Sequence, residues 1–358
     1  MATTQRFPMF DACRALAALS VLAYHIGMIG GHSTPISDAL VVGVPVFFAI
    51  SGFLLYRPFA AARATGRTVS LRRYATRRVL RIVPAYWVAL TGLAVVFSWP
   101  VFDGDAWRYY GFAQIYTTGS FDGGLAVAWT LCIEVTFYVL LPAYAFAARR
   151  LTWRAELAVL AGLGVLSGVV HAGFYPSAST EATPALTLAG TFMWFVPGML
   201  LAVWTVHRPV TGAGRYWAGA VVAFAALVAL RESGLPGWVP AVTATPLFAL
   251  LLLLPAANLT AAGSIPHRVL STAVLAWLGT ISYGLYLYHA TVIAWLDGRP
   301  LTEHWPVLAA AALGLSVIVA AGSWYLIERP ALRLARGRAT GARRAQPGFV
   351  PARQPAGQ

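Results

Sequence analysis

The chain has 358 residues, of which 59% are hydrophobic and only 11% charged, with a mean hydropathy of +0.68. An ordinary soluble domain carries about 25% charged residues, so this chain cannot cover a globular surface with solvated side chains, and a soluble enzyme is excluded. The formal charge of +14 comes from 26 arginines and no lysine against 12 acidic residues; a nucleic-acid partner would need that charge on one soluble face, so none is expected.

A run of about 20 apolar residues crosses a bilayer as helix, because each residue rises about 1.5 Å. Ten such runs lie near residues 12–31, 39–59, 82–101, 125–147, 156–174, 185–206, 216–230, 242–257, 275–296 and 307–327. The first has spanning length and no small-residue cleavage site behind it, so it is read as a retained helix rather than a signal peptide. The seventh and eighth are short and flank a loop holding Pro236 and Pro240. The expected fold class is an all-α membrane protein, a bundle of about ten transmembrane helices crossing the cell membrane many times, with the lipid bilayer as its first partner.

Arginine orients the spans. Of the 26, 23 fall on the side of the N-terminus, and only Arg108, Arg231 and Arg299 fall opposite. The positive-inside rule then puts both termini in the cytoplasm. Residues 1–330 make the membrane domain; residues 331–358, rich in Arg, Pro and Gly, are expected to be a disordered cytoplasmic tail. Cys13 and Cys132 lie in apolar runs and offer neither a disulfide framework nor metal-ligand spacing, so no metal site is expected.

Ionisable groups inside a spanning helix are costly and by default mark function. The first span holds Arg14 and His25. Eleven residues at about 100° each bring the two side chains onto one face, about 16 Å apart along the axis. His25 is a candidate general base; the bland alternative is a histidine bonded between helices. In the fourth span, Glu134 must be paired or protonated. A hydrogen bond donated by a His25 ring nitrogen to Glu134 would satisfy both, with the carboxylate orienting the imidazole and stabilising its cation; a structural bond to a neighbouring helix is the rival.

The ninth span carries Ser282, Tyr283, Tyr286 and His289, either a substrate-contacting strip or part of an interfacial belt. Arg72, Arg73, Arg77, Arg78 and Arg81 crowd the segment before Pro84. As a helix, Arg73, Arg77 and Arg81 would follow one another at four-residue spacing with Arg78 beside them, a basic face able to grip phosphates bidentately or to rest on anionic headgroups. Ser51-Gly52 supplies either a hydroxyl for a developing oxyanion or a small-residue packing site, and packing is favoured.

Arg14-Ala-Leu-Ala-Ala-Leu with His25, Gly43 to Leu54 around Ser51-Gly52-Phe53, Arg78-Val-Leu-Arg81-Ile-Val-Pro84, Trp129 to Tyr138, Ser282 to His289 and Glu328-Arg329-Pro330 follow one another along nearly the whole chain. In that order and spacing the chain resembles the acyltransferase 3 family of polytopic membrane O-acyltransferases. The resemblance implies transfer of an acyl group, usually acetyl, from cytoplasmic acyl-CoA to a hydroxyl of a sugar, a surface glycan or a glycosylated metabolite. It implies His25 as catalytic base with Glu134 in support, Arg14, Arg78 and Arg81 on the CoA, and Ser51, Tyr283, Tyr286 and His289 toward the substrates. Acyl-CoA enters as a substrate, and no permanently bound cofactor is implied. The C-terminal esterase-like domain of some relatives is missing, so direct transfer, or an acceptor that enters the membrane cavity itself, is expected. A proton-coupled transporter using His25 and Glu134 is the alternative; no internal repeat supports it.

Overall fold

A computed structural model describes residues 7, 9–104, 106–117, 123–175, 183–211, 213–257, 265–300 and 303–334. Most of the tail expected at residues 331–358 therefore lies outside the described residues. Among those described there is no strand, and the fold is all-α. The long helices are α1 (Met9–Ile29), α2 (Gly43–Ala64), α3 (Leu71–Phe97), α4 (Trp129–Ala147), α5 (Trp153–Phe174), α6 (Leu188–His207), α7 (Ala213–Glu232), α8 (Ala244–Ala256), α9 (Ala273–Leu296) and α10 (Trp305–Ser323). A π-helical turn, Trp324–Glu328, continues α10.

Each predicted run meets one of these helices, but the third begins eleven residues earlier than hydropathy suggested. Ser70 explains the difference: its side chain accepts the Arg73 backbone N–H and caps α3, so the arginine cluster belongs to the helix itself. Eight helical stretches among the described residues are long and apolar enough to cross a membrane, fewer than the ten runs read from the sequence. The two that fall short are polar for identifiable reasons. α7 carries Arg215 near its start and Arg231-Glu232 at its end, and α9 carries Ser282, Tyr283, Tyr286, Tyr288 and His289. Val96, Val139, Val165 and Ile318 stand at least two-thirds exposed on helices that span, an arrangement stable only against hydrocarbon. The protein is a multi-pass membrane protein.

Two close helix crossings organise the bundle. A Cβ on Gly198 of α6 would sit 1.7 Å from the Ala49 carbonyl oxygen of α2, and one on Gly52 would sit 2.3 Å from that of Phe195. Backbones therefore touch where α2 meets α6, as small residues allow in membranes; packing is what Gly52 does. At Gly279 of α9 an added Cβ would meet the Asp11 carbonyl oxygen at 1.9 Å, which locks α9 against α1. A buried ion pair anchors α2 to α5: Glu156 bonds Arg63 and the Tyr56 hydroxyl, while Arg63 also donates to the Ala148 carbonyl at 2.9 Å. Cys13 and Cys132 are free and buried.

Candidate active site

α1, α2, α3, α4 and α9 enclose a cavity at the arginine-rich end of the bundle. It brings together Arg14, Ser51, Arg78, Arg81, Glu134, Tyr283 and Tyr286, which the sequence scatters over some 270 positions. Arg78 and Arg81 turn into it, whereas Arg72, Arg73 and Arg77 are exposed, so the expected single basic face splits into an inward pair and an outward group. Arg14 lies 3.9 Å from Asp11. Arg78 sits over the Tyr138 ring at 5.7 Å and Arg81 between the Tyr283 and Trp324 rings at 5.8 and 5.6 Å. Aromatic walls hold guanidinium groups without spending their donors.

Arg81 has a partner beyond the residues expected from the sequence. Glu328, 1% exposed at the end of the π-helical turn, places Oε2 3.4 Å from an Arg81 guanidinium nitrogen, and its Oε1 accepts from Ser323. Its signal in the sequence was a lone acid closing the last apolar run, in Glu328-Arg329-Pro330. A π-turn displaces the helix face by one residue and is a frequent device at functional sites.

Glu134 does not bond His25. Its Oε1 accepts the Ser51 hydroxyl at 2.6 Å and the Tyr138 hydroxyl one turn below. Those two hydroxyls both bond the same carboxylate oxygen within the arginine cavity, and the expected carboxylate–imidazole pair is not formed. The same bond occupies the Ser51 proton, so in this state the hydroxyl is not directed at an oxyanion.

His25 belongs to a second, roomier cavity, about 490 Å³ against about 70 Å³. Its walls include Tyr24, Met28, Trp99, Trp129 and Trp295, and part of them comes from the segment joining α3 to α4. Val44 and Tyr286 line both cavities, so Tyr286 stands in the partition. The Tyr286 hydroxyl shares a 2.7 Å hydrogen bond with Thr130, and Thr130 donates to the Val127 carbonyl at 3.0 Å. Tyr283 instead donates to the Ile82 carbonyl at 3.0 Å and ties α9 to α3.

His289 lines neither cavity. It is 1% exposed and packs behind His25, with His289 Nε2 3.1 Å from His25 Nδ1. The structure places His289, expected among the substrate-contacting residues, against the His25 ring rather than on either cavity wall. Seven of the nine sequence-predicted residues thus share one cavity, and the two histidines form a separate pair beside the second.

The sequence model of the acyltransferase 3 family, described as an acyltransferase domain, matches residues 8–326. Similar curated proteins include nodulation protein 10 of Rhizobium leguminosarum bv. viciae, 29% identical over 91% of this chain and 93% of the relative. The exopolysaccharide production protein ExoZ of Rhizobium meliloti is 30% identical over 88% and 96%. The peptidoglycan O-acetyltransferase OatA of Listeria monocytogenes is 27% identical over 90% of this chain; the match spans 55% of that longer relative. No solved structure matches the chain significantly.

Proposed function

The chain belongs to the acyltransferase 3 family, and from that premise we propose that it moves an acyl group, acetyl by preference, from cytoplasmic acyl-CoA to a hydroxyl of a sugar-containing acceptor. The observation that carries this reading is the pair of cavities meeting at Tyr286, one lined by three arginines and the other bordered by an imidazole. Three guanidinium groups suit the phosphates of a nucleotide-bearing donor, which they bind by charge-assisted bonds. The narrow cavity suits a thin pantetheine arm with its thioester leading. The roomier one, walled by Trp99, Trp129 and Trp295, suits a sugar ring, whose C–H faces pack on aromatic rings.

In this mechanism the thioester passes Tyr286 and reaches His25. The imidazole takes the proton from the acceptor hydroxyl as its oxygen attacks the thioester carbonyl. The tetrahedral intermediate collapses with cleavage of the carbon–sulfur bond, and the departing CoA thiolate receives the proton from the imidazolium. Residues 1–330 do this work, with both termini on the cytoplasmic face of the plasma membrane and the acceptor entering from the side of the second cavity. Relatives named for O-acetylation of peptidoglycan and for exopolysaccharide production support a glycan or glycoside as acceptor.

The test is transfer of a radiolabelled acetyl group from acetyl-CoA by the purified protein in proteoliposomes supplied with host cell-envelope glycans or glycosylated metabolites. His25→Ala should lower turnover by about 10²- to 10⁴-fold, the range of general base catalysis, while CoA binding survives. Near-normal turnover in that variant, or proton-coupled solute flux without acyl transfer in the wild type, would overturn the reading.

A further inference from the structure

We infer that His289 is the positioning residue for His25: it fixes the imidazole's tautomer and accepts a hydrogen bond from its cation, the part a carboxylate plays in a Ser-His-Asp triad. The inference rests on the reading of His25 as the base.

The proton positions follow from the partners. His289 Nδ1 lies 2.7 Å from the Tyr286 carbonyl oxygen and 3.2 Å from that of Leu285. A carbonyl oxygen only accepts, so Nδ1 of His289 carries the hydrogen, and the neutral ring keeps its lone pair on Nε2. That lone pair faces His25 Nδ1 at 3.1 Å. His25 Nδ1 is also 2.9 Å from the Val21 carbonyl, which again demands a hydrogen on the nitrogen. Both rings are therefore Nδ1–H tautomers, and the free lone pair of His25 is on Nε2. Nε2 makes no hydrogen bond among the described residues and is not buried, which leaves it open to the cavity His25 lines.

The single Nδ1–H of His25 is shared between the Val21 carbonyl at 2.9 Å and the His289 lone pair at 3.1 Å, and of these two acceptors only His289 comes from another helix. Among the described residues the His289 Nε2 lone pair has no second hydrogen-bond partner. When His25 takes the acceptor's proton on Nε2, its Nδ1–H becomes a stronger donor and the bond to His289 Nε2 strengthens with it. No bond at His289 is made or broken; its Nδ1–H stays on the α9 carbonyls throughout. Burial at 1% exposure keeps water from competing for the same lone pair.

The test compares His289→Leu with His289→Gln, two side chains of similar bulk, of which only glutamine can place an acceptor oxygen near the Nε2 position. His289→Leu should lower kcat by about 10- to 100-fold, the factor for a hydrogen bond to a charged group, with KM for acetyl-CoA and for acceptor within about twofold of wild type. His289→Gln should recover most of the loss. In a His25→Ala background His289→Leu should cost less than about twofold, because the two residues act as one unit. Equal losses in both backgrounds, equal kcat for the Leu and Gln variants, or a loss confined to KM would overturn the inference. A wild-type protein that transfers no acyl group would overturn the acyl-transfer reading itself, whereas an active wild type with an unaffected His289→Leu variant overturns this inference alone.

Discussion

Gly198→Ala tests the architecture that holds the cavity. The added Cβ would lie 1.7 Å from the Ala49 carbonyl oxygen and 2.7 Å from the Phe53 nitrogen, both backbone atoms that no rotamer change can move. Real contacts of this kind stop near 3.0 Å, so α2 and α6 must part locally by roughly 1.3 Å, in an interior packed as densely as an organic crystal. Overpacking of this sort costs about 1–3 kcal/mol. Alanine would otherwise favour a helix interior over glycine by about 0.5–1 kcal/mol, so the crossing reverses the sign of an intrinsically favourable change. Gly92 and Gly162 supply the control, since an added Cβ at either meets nothing within 4 Å, and alanine there should stabilise slightly. The assay is thermal unfolding of the detergent-solubilised protein, followed by tryptophan fluorescence. Gly198→Ala should unfold at clearly lower temperature and Gly92→Ala at the same or higher. Turnover should fall with it, because Ser51 is carried by α2 next to the Gly52–Phe195 contact and lies 2.6 Å from Glu134. A Gly198→Ala protein as heat-stable as wild type, or one that loses no more than Gly92→Ala, would refute the reasoning.

Arg78→Ala and Arg81→Ala should each raise KM for acyl-CoA several-fold and leave KM for the acceptor nearly unchanged; equal effects on both substrates would mean these arginines do not hold the donor. Glu328→Gln should reproduce part of the Arg81 effect in the same donor KM, since it weakens the 3.4 Å pair, and a purely thermal effect with normal kinetics would assign Glu328 to stability alone. Glu134→Gln and Ser51→Ala should lower turnover less than His25→Ala, because the 2.6 Å bond between them shapes the arginine cavity rather than the base; a Glu134→Gln variant as inactive as His25→Ala would restore the direct pairing of Glu134 with His25. Reporter fusions after residue 81 and after residue 330 should both read as cytoplasmic, and an extracytoplasmic signal from either would remove the donor geometry.

Much of the protein was legible from composition because membrane insertion leaves so few options. Hydropathy located the helices, since only helices and closed barrels satisfy their own backbone polar groups in hydrocarbon, and the cost of ionisable groups in a span singled out His25, Glu134 and His289. Helical periodicity placed Arg14 and His25 on one face of α1. Which partners those groups find was not legible, because a period of 3.6 residues fixes the direction of a side chain from its own axis and says nothing of which helix stands opposite. Glu134 points at Ser51 and Tyr138 rather than at His25, and His289, from a helix more than 240 residues further along, supplies the contact to the His25 ring. Those choices follow from the approach of α2 to α6 at Gly52 and Gly198 and of α1 to α9 at Gly279. The sequence marks such glycines only as small residues among 33, and tertiary packing alone decides which of them bring two backbones into contact.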